Sequence, residues 1–138
     1  MGLFGTFTWS DDRWSRGAPT AVPFLLVDVH DSRIATVDHR RADAGGGRFF
    51  LGYEPRIYFE EPDASDPVDV EAETAGFAAW AREATGADLD PADVRPLLAS
   101  PSGAPPTDES VELTVDRLAA LAGLPPVEWP TETDGYAG

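Results

Sequence analysis

Residues 22–39 read VPFLLVDVHDSRIATVDH, and this stretch decides the fold. Two runs rich in aliphatic and β-branched residues, 22–30 and 33–39, flank the dipeptide Asp31-Ser32, which suits a two-residue turn. Such runs separated by a tight turn are typical of two strands joined as a hairpin. The stretch therefore predicts an antiparallel β-hairpin.

A two-residue turn also fixes the register of this hairpin, because it sets which residues lie opposite each other. Both faces of the pair then carry some apolar side chains, so we expect the hairpin to lie at the centre of a sheet. The predicted opposite pairs are Val29 with Ile34, Val27 with Thr36, and Leu25 with Asp38.

Further strands are predicted on both sides of the hairpin. Residues 3–9 are rich in Phe, Thr and Trp, and a polar loop containing Gly17 and Pro19 separates them from the hairpin. After the glycine-rich linker 44–47, residues 48–53 and 56–61 predict two more strands. The connections are too short for crossover helices, so the first half of the chain predicts an antiparallel meander of four to five strands.

The second half of the chain predicts helices. Asp66-Pro67 is a helix start with a capping side chain and a proline at the first helical position, and apolar residues recur at helical spacing up to Gly86. This helix should pack Phe77 and Trp80 on the sheet. Asp90-Pro91 starts a shorter helix that ends near Leu98.

The region after Asp108 has two interpretations. Residues 108–123 suit a third helix that ends at Gly123, whereas residues 111–115 alternate and would equally make an edge strand. The fold class is α+β in either case, with two to three helices on the sheet. We expect one domain over residues 1–124 and an extended or disordered acidic tail over residues 125–138.

The composition excludes several function classes. The 138 residues include ten Arg, twenty-five Asp and Glu, and no Lys, Cys, Asn or Gln, which gives a formal charge of −15. Without Cys the chain has no disulfide, no thiolate zinc site and no thiol catalysis. A strongly negative field repels nucleic acid and attracts basic surfaces. The hydrophobic fraction of 42% is sufficient for a folded core.

The same composition bears on origin and location. Missing Lys and Asn beside abundant Ala, Gly, Pro and Arg are typical of a GC-rich bacterial genome such as an actinobacterium's. A halophilic origin would also explain scarce Lys and many carboxylates. No basic leader and no apolar run of about 18 residues is present. We therefore expect a cytoplasmic protein that does not contact a membrane.

Several motifs do not carry the chemistry that they suggest. Asp28 and His30 share a strand face and resemble an acid–base pair, but a structural role is more common for such a pair. Gly45-Gly46-Gly47-Arg48 lacks the Lys and Ser/Thr that a phosphate-binding loop requires. Residues 88–93 lack the remaining ligands of a calcium loop. Residues 114–124 resemble half of a helix-turn-helix, but prolines and acids follow where a recognition helix should lie.

The densest charge lies in residues 54–73, where eight carboxylates face one Arg; Tyr58 and Phe59 are interleaved and Tyr53 directly precedes the range. Aromatic side chains beside carboxylates can provide both contact area and steering toward a basic partner. A solvated loop whose acids favour the following helix start is the alternative. The predicted partner-binding residues are Tyr53, Glu54, Tyr58, Phe59, Glu60, Glu61, Asp63, Asp66 and Trp129.

Three functions remain compatible with the sequence. The first is a non-enzymatic interaction protein, immunity- or inhibitor-like, that covers a basic partner protein and needs no catalytic residue, metal or cofactor. The second is a small-molecule binder or enzyme with a pocket between sheet and helices, using Asp28, His30 and Glu54 for acid–base chemistry. The third is a component of a larger assembly that docks through Trp129 and Tyr136 in the tail.

Overall fold

The structure is a computed structural model that describes residues 3–19, 21–42, 45–65, 68–99 and 110–129. A five-stranded antiparallel sheet from the N-terminal half packs against helices from the C-terminal half, which confirms the predicted α+β class. The elements are β1 (Gly5–Ser10), β2 (Arg13–Arg16), β3 (Phe24–His30), β4 (Ile34–Arg40), β5 (Gly46–Gly52), α1 (Pro55–Tyr58), α2 (Val70–Thr85), α3 (Pro91–Val94), a 3-10 turn (Arg95–Leu97) and α4 (Val111–Leu121).

The strand order is β2-β1-β3-β4-β5. Strands β3 to β5 form the predicted meander, but β2 was not predicted and lies at the far edge as the partner of β1. Asp11 and Asp12 both have positive φ, 52° and 66°, and make the tight turn between these strands. The sequence pattern indicates only a loop here, because β2 is four residues long, mostly exposed, and carries little apolar alternation.

The register of the β3–β4 hairpin differs from our prediction by one residue. Asp31 and Ser32 form the expected turn, with φ of 53° and 52° and a 3.0 Å hydrogen bond from Arg33 N to His30 O. Arg33 nevertheless stays outside the ladder, and Ile34 pairs with His30. Such an extra residue acts like a β-bulge and reverses which face β4 presents to the core.

The corrected register separates the two faces of the sheet. The predicted pairs were wrong, but the hairpin lies inside the sheet as expected, with β3 at its centre. The face toward α2 and α4, called the inner face, carries Leu25, Val27 and Val29 from β3 opposite buried residues of β4. The opposite face, called the outer face, carries polar residues of the same strands, among them Asp28 and Thr36.

Residues 56–61 do not form the predicted strand. Strand β5 ends at Gly52, whose φ of +81° turns the chain, and Pro55 occupies the first position of the helical turn α1.

Helix α2 starts later than predicted, at Val70, where Asp69 caps it by accepting a 3.1 Å hydrogen bond from Ala72 N. Asp66 and Pro67, the predicted start, lie outside the described residues.

The core lies between the inner face and the helices. Phe77 and Trp80 of α2 are fully buried on the sheet, as predicted, and stack on each other with ring centroids 5.7 Å apart. Val115 and Leu118 of α4 complete the same cluster. Burying side chains of this size contributes roughly 2–3 kcal/mol each, so this layer supplies much of the folding free energy.

Residues 111–121 are helical, which decides between the two interpretations of this region. The Ser110 side chain makes no capping hydrogen bond, and Ser32 in the β3–β4 turn provides the acceptor instead: its carbonyl accepts from Val111 N at 2.9 Å. The Ser32 hydroxyl accepts from Leu3 N at 2.8 Å and donates to Glu112 Oε2 at 3.0 Å. One turn residue therefore joins the N-terminal segment, the hairpin and α4.

Residues 125–129, the described part of the predicted tail, form no helix or strand but contact the domain. Trp14 Nε1 donates a 2.7 Å hydrogen bond to Pro125 O, and Val127 is buried.

Asp90 caps α3 by accepting from Ala92 N at 2.9 Å, as predicted, and Gly86 ends α2 in the left-handed conformation.

We predict that Gly52→Ala destabilises the protein far more than Gly86→Ala. Both glycines have similar positive φ, 81° and 79°, so both variants incur the backbone cost of about 1–2 kcal/mol. Only at Gly52 would the new methyl group collide with a backbone atom, the carbonyl oxygen of Arg33. We expect an additional loss of about 2 kcal/mol, measured by urea unfolding. Equal losses in the two variants would contradict this packing.

Candidate functional site

The predicted aromatic residues of the 53–59 segment come together on the outer face. The Tyr53 and Tyr58 rings lie 5.5 Å apart, and the Tyr58 and Phe59 rings lie 5.0 Å apart at nearly a right angle. Both tyrosines pack against a small buried cluster that contains Ile34 and Phe50. Helix α1 therefore positions these side chains by covering one end of the outer face.

Two further rings extend this group. The His30 ring lies 5.3 Å from Phe59 and 4.9 Å from Phe4, in edge-to-face geometry at both contacts. Phe59 and Phe4 are 45% and 56% exposed, which is high for phenylalanine. We call Tyr53, Tyr58, Phe59, His30 and Phe4 the aromatic row.

The predicted carboxylates around the row have two different environments. Glu60, Glu61 and Asp63 are exposed and have no ion-pair partner among the described residues, which include all ten arginines. Glu54 is only 1% exposed and pairs with Arg56 Nε at 2.9 Å. Its Oε2 has no hydrogen-bond partner in the described structure. Glu54 is therefore inaccessible to a partner, and its ion pair keeps a buried charge compensated.

Glu60 has a strained backbone. Its φ is 54°, at a position after α1 where glycine is usual, and the flanking hydrogen bond from Glu61 N to Arg56 O measures 3.1 Å. Asp tolerates this conformation because its short side chain can bond locally, but Glu has no such compensation. A glutamate therefore occupies a surface position, next to Phe59, at which glycine would be more stable.

The structure does not bring Trp129 to this region. Its ring lies 4.9 Å from Phe7, an inner-face residue, and its Nε1 donates to both Asp116 oxygens at 3.1 Å. Trp129 and the aromatic row are therefore on opposite sides of the sheet. Asp66 lies outside the described residues.

The acid–base set of the second hypothesis is not assembled. Asp28 is exposed and accepts a 2.9 Å hydrogen bond from Thr6 Oγ1. No hydrogen bond joins Asp28 to His30 in the described part of the chain, and His30 makes ring contacts instead. Glu54 faces Arg56. Carboxylates arranged in this way do not orient the imidazole for proton transfer.

Sequence reasoning missed a cleft of about 710 Å3 on the outer face. It lies between β4, β5 and the segment that leads into α2, and Asp28, His30 and Glu54 are not among its lining residues. Its floor includes Phe50, which the β5 pattern places outward. The lining residues are Thr36, Arg48, Phe50, Pro55, Asp63, Ala64, Ser65, Val68, Asp69 and Glu73.

Two charged groups of the cleft have shifted pKa values. Burial raises the pKa of Glu73, although its carboxylate accepts a 3.1 Å hydrogen bond from Arg48 N, which acts in the opposite direction. A 2.6 Å hydrogen bond from Nε to Asp38 raises the pKa of Arg48. Arg48 is thus already engaged by Asp38, outside the cleft lining.

His39 is a buried titratable group that the predicted register places on the wrong face. Its ring is 2% exposed, lies 5.8 Å from Phe77, and has no hydrogen-bond partner at Nδ1 or Nε2 in the described structure. Burial lowers its pKa to about 4; Asp38 opposes this shift and the charges of Arg41 and Arg40 add to it. In the correct register His39 lies opposite Leu25, an inner-face residue, which would have revealed its burial.

Comparisons with protein-family models, with curated proteins and with solved structures found no match. Within the described ranges, no group of three or more His, Asp or Glu is arranged to hold a metal ion. No helix in the same ranges is both long and apolar enough to cross a bilayer.

We predict that His39 makes the protein less stable at mildly acidic pH. The pKa is about 4 in the folded chain and about 6.5 in the unfolded chain. The unfolded chain therefore binds the proton first, and stability is lost as pH falls from 6.5 through 4. Between pH 7 and pH 5 this loss is about 2 kcal/mol.

His39→Phe should remove this contribution, because phenylalanine preserves a ring in the aromatic contacts without a titratable nitrogen. The measurement is urea unfolding at pH 7 and pH 5, compared between variant and wild type so that the carboxylates cancel. His30→Phe is the control, and it should lose as much unfolding free energy between pH 7 and pH 5 as the wild type. An unchanged pH dependence in His39→Phe would show that His39 is not the responsible group.

Proposed function

We propose that this chain is a non-enzymatic interaction protein, immunity- or inhibitor-like, that binds a basic partner protein through its outer face. The contact region is the acidic aromatic surface, which consists of Phe4, His30, Tyr58, Phe59, Glu60, Glu61 and Asp63. The observation that carries the proposal is the half-exposed Phe59 beside three exposed carboxylates that have no cationic partner among the described residues. Glu54 and Trp129 are left out because their contacts lie within the domain.

The two kinds of side chain contribute differently to binding. An exposed aromatic ring that becomes buried at an interface supplies contact area and is a frequent source of binding energy. Carboxylates at its margin increase the association rate with a basic partner and disfavour acidic partners. The formal charge of −15 extends this attraction beyond the contact itself.

The backbone of Glu60 supports the same surface. A left-handed glutamate is less favourable than glycine at the same position, by about 1 kcal/mol. Strained residues are often found at binding sites, where the side chain has a role that compensates for the strain. We infer that the Glu60 carboxylate contributes to partner binding.

The other two hypotheses receive less support. Asp28, His30 and Glu54 do not line the outer-face cleft, and no contact among them assembles the acid–base set in the described structure. The Trp129 indole is engaged by Phe7 and Asp116 within the domain, which reduces what it could offer to an assembly. Tyr136 lies outside the described residues.

We predict that Glu60→Gly separates stability from binding. Glycine adopts positive φ without cost, so the variant should be more stable by about 1 kcal/mol in urea unfolding. Loss of the carboxylate should at the same time weaken binding of a basic peptide several-fold, measured by fluorescence anisotropy. If the variant is more stable but binds the basic peptide with unchanged affinity, Glu60 does not contribute to partner binding.

The proposed function also predicts the outcome of a peptide selection, which does not require the partner to be identified. Random displayed peptides are selected on the immobilised full chain, and the recovered sequences should be enriched in Arg and Lys. Their binding should weaken as salt is raised, because the contact is electrostatic.

A matched pair of triple variants then locates the binding surface. Glu60→Gln, Glu61→Gln and Asp63→Asn remove three charges from the surface, while Asp12→Asn, Asp93→Asn and Glu128→Gln remove three exposed charges elsewhere. The first set should abolish binding of the selected peptides and the second should not. Equal effects would mean that only the net charge matters, and peptides without basic enrichment would refute the proposed function.

A further inference from the structure

The outer-face cleft adjoins the acidic aromatic surface, since Asp63 belongs to both. Its volume of about 710 Å3 lies in the range of sites that enclose a small molecule or a large side chain. Phe50 and Val68 provide apolar lining, and Asp63, Asp69 and Glu73 provide carboxylates. The cleft therefore combines an apolar floor with several acceptors at its wall.

These carboxylates are not neutralised by any cationic side chain of the described residues. Asp69 Oδ1 accepts from Ala72 N and Glu73 Oε1 accepts from Arg48 N, but both donors are neutral backbone groups. Asp63 likewise has no ion-pair partner in the described ranges. These ranges contain all ten arginines of the chain, and the one that lines the cleft, Arg48, forms its ion pair with Asp38 at 2.6 Å.

We propose that the cleft receives an arginine side chain of the basic partner and anchors that partner beside the acidic aromatic surface. This inference rests on the proposed function and names the partner group that is recognised. The occupant follows from charge complementarity, because three carboxylates line the space and its one lining arginine is engaged by Asp38. A partly buried Glu73, whose pKa burial raises, gains additional stabilisation from an incoming cation.

Arginine suits the cleft better than lysine. Its planar guanidinium has five N–H donors and can bond two carboxylates at once, whereas an ammonium group acts as a compact, strongly hydrated charge. The methylene stem of arginine can lie on apolar side chains while its head group stays polar. Phe50 and Val68 supply apolar lining for that stem, and Asp69 and Glu73 supply carboxylate acceptors for the head group.

The test uses acetyl-arginine-amide as a probe, with amide resonances of the full chain followed by NMR. The probe should shift the amides of Thr36, Phe50 and Val68. The lysine counterpart should bind several-fold more weakly, and the citrulline counterpart, which has a similar shape without charge, should cause no shift. Equal binding of citrulline would overturn the inference, since recognition would not depend on charge.

Two variants test whether the probe binds in the outer-face cleft. Asp69→Ser retains a helix-capping side chain and Glu73→Gln retains the length of the residue, and each should weaken probe binding about five- to tenfold. Asp93→Asn is the matched control and should have no effect. Shifts that persist unchanged in both cleft variants would place the probe elsewhere and overturn the inference.

A last comparison separates a partner side chain from a free metabolite. Uncapped arginine has the same net charge as the capped probe but carries an α-ammonium and a carboxylate in place of the two amide groups. A site for a side chain alone does not recognise these groups, so uncapped arginine should bind no better than the capped probe. Tighter binding of uncapped arginine would overturn the partner assignment. Failure of the probe at the cleft, with selected basic peptides still dependent on Glu60, Glu61 and Asp63, would refute this inference alone and leave the proposed function standing.

Discussion

The register of the β3–β4 hairpin is the constraint on which the rest of the structure depends. With Ile34 opposite His30, every second residue of both strands points to the inner face, and Val27 lies beside Val37 in the core. A shift by one residue would move the apolar residues of one strand into solvent. The bulged Arg33 that sets this register lies next to Ser32, which also anchors α4 and the N-terminal segment. The β3–β4 turn therefore connects the sheet to both α4 and the N-terminal segment through hydrogen bonds of Ser32.

This register also decides which side chains the outer face exposes. The inner face takes most of the buried apolar residues. The outer face retains polar groups such as Asp28 and Thr36, and α1 covers only one end of it. The boundary between covered and uncovered sheet is where the aromatic row, the exposed carboxylates and the cleft lie. The strong negative charge supports the interaction role that we propose for this boundary.

Two buried polar side chains, Glu54 and His39, lie in different environments. Glu54 is compensated by Arg56, whereas His39 lies among aromatic rings without a hydrogen-bond partner in the described structure. In the first arrangement, removing either partner would leave the other charge buried and uncompensated. The second is favourable only while the ring is neutral, which links folding to pH.

The sequence by itself determined the features that depend on neighbouring residues. The Asp31-Ser32 turn, the burial of Phe77 and Trp80, the Asp90 cap and the Gly86 stop follow from local chemistry and periodicity. Tertiary structure decided the hairpin register, the helical turn at residues 55–58, the burial of Glu54 and the separation of Trp129 from the aromatic row. Each of these depends on contacts with residues distant in sequence. The cleft shows this most clearly, because its lining includes both Thr36 on β4 and Glu73 on α2. No local sequence pattern predicts that two residues so far apart in the chain lie next to the same space.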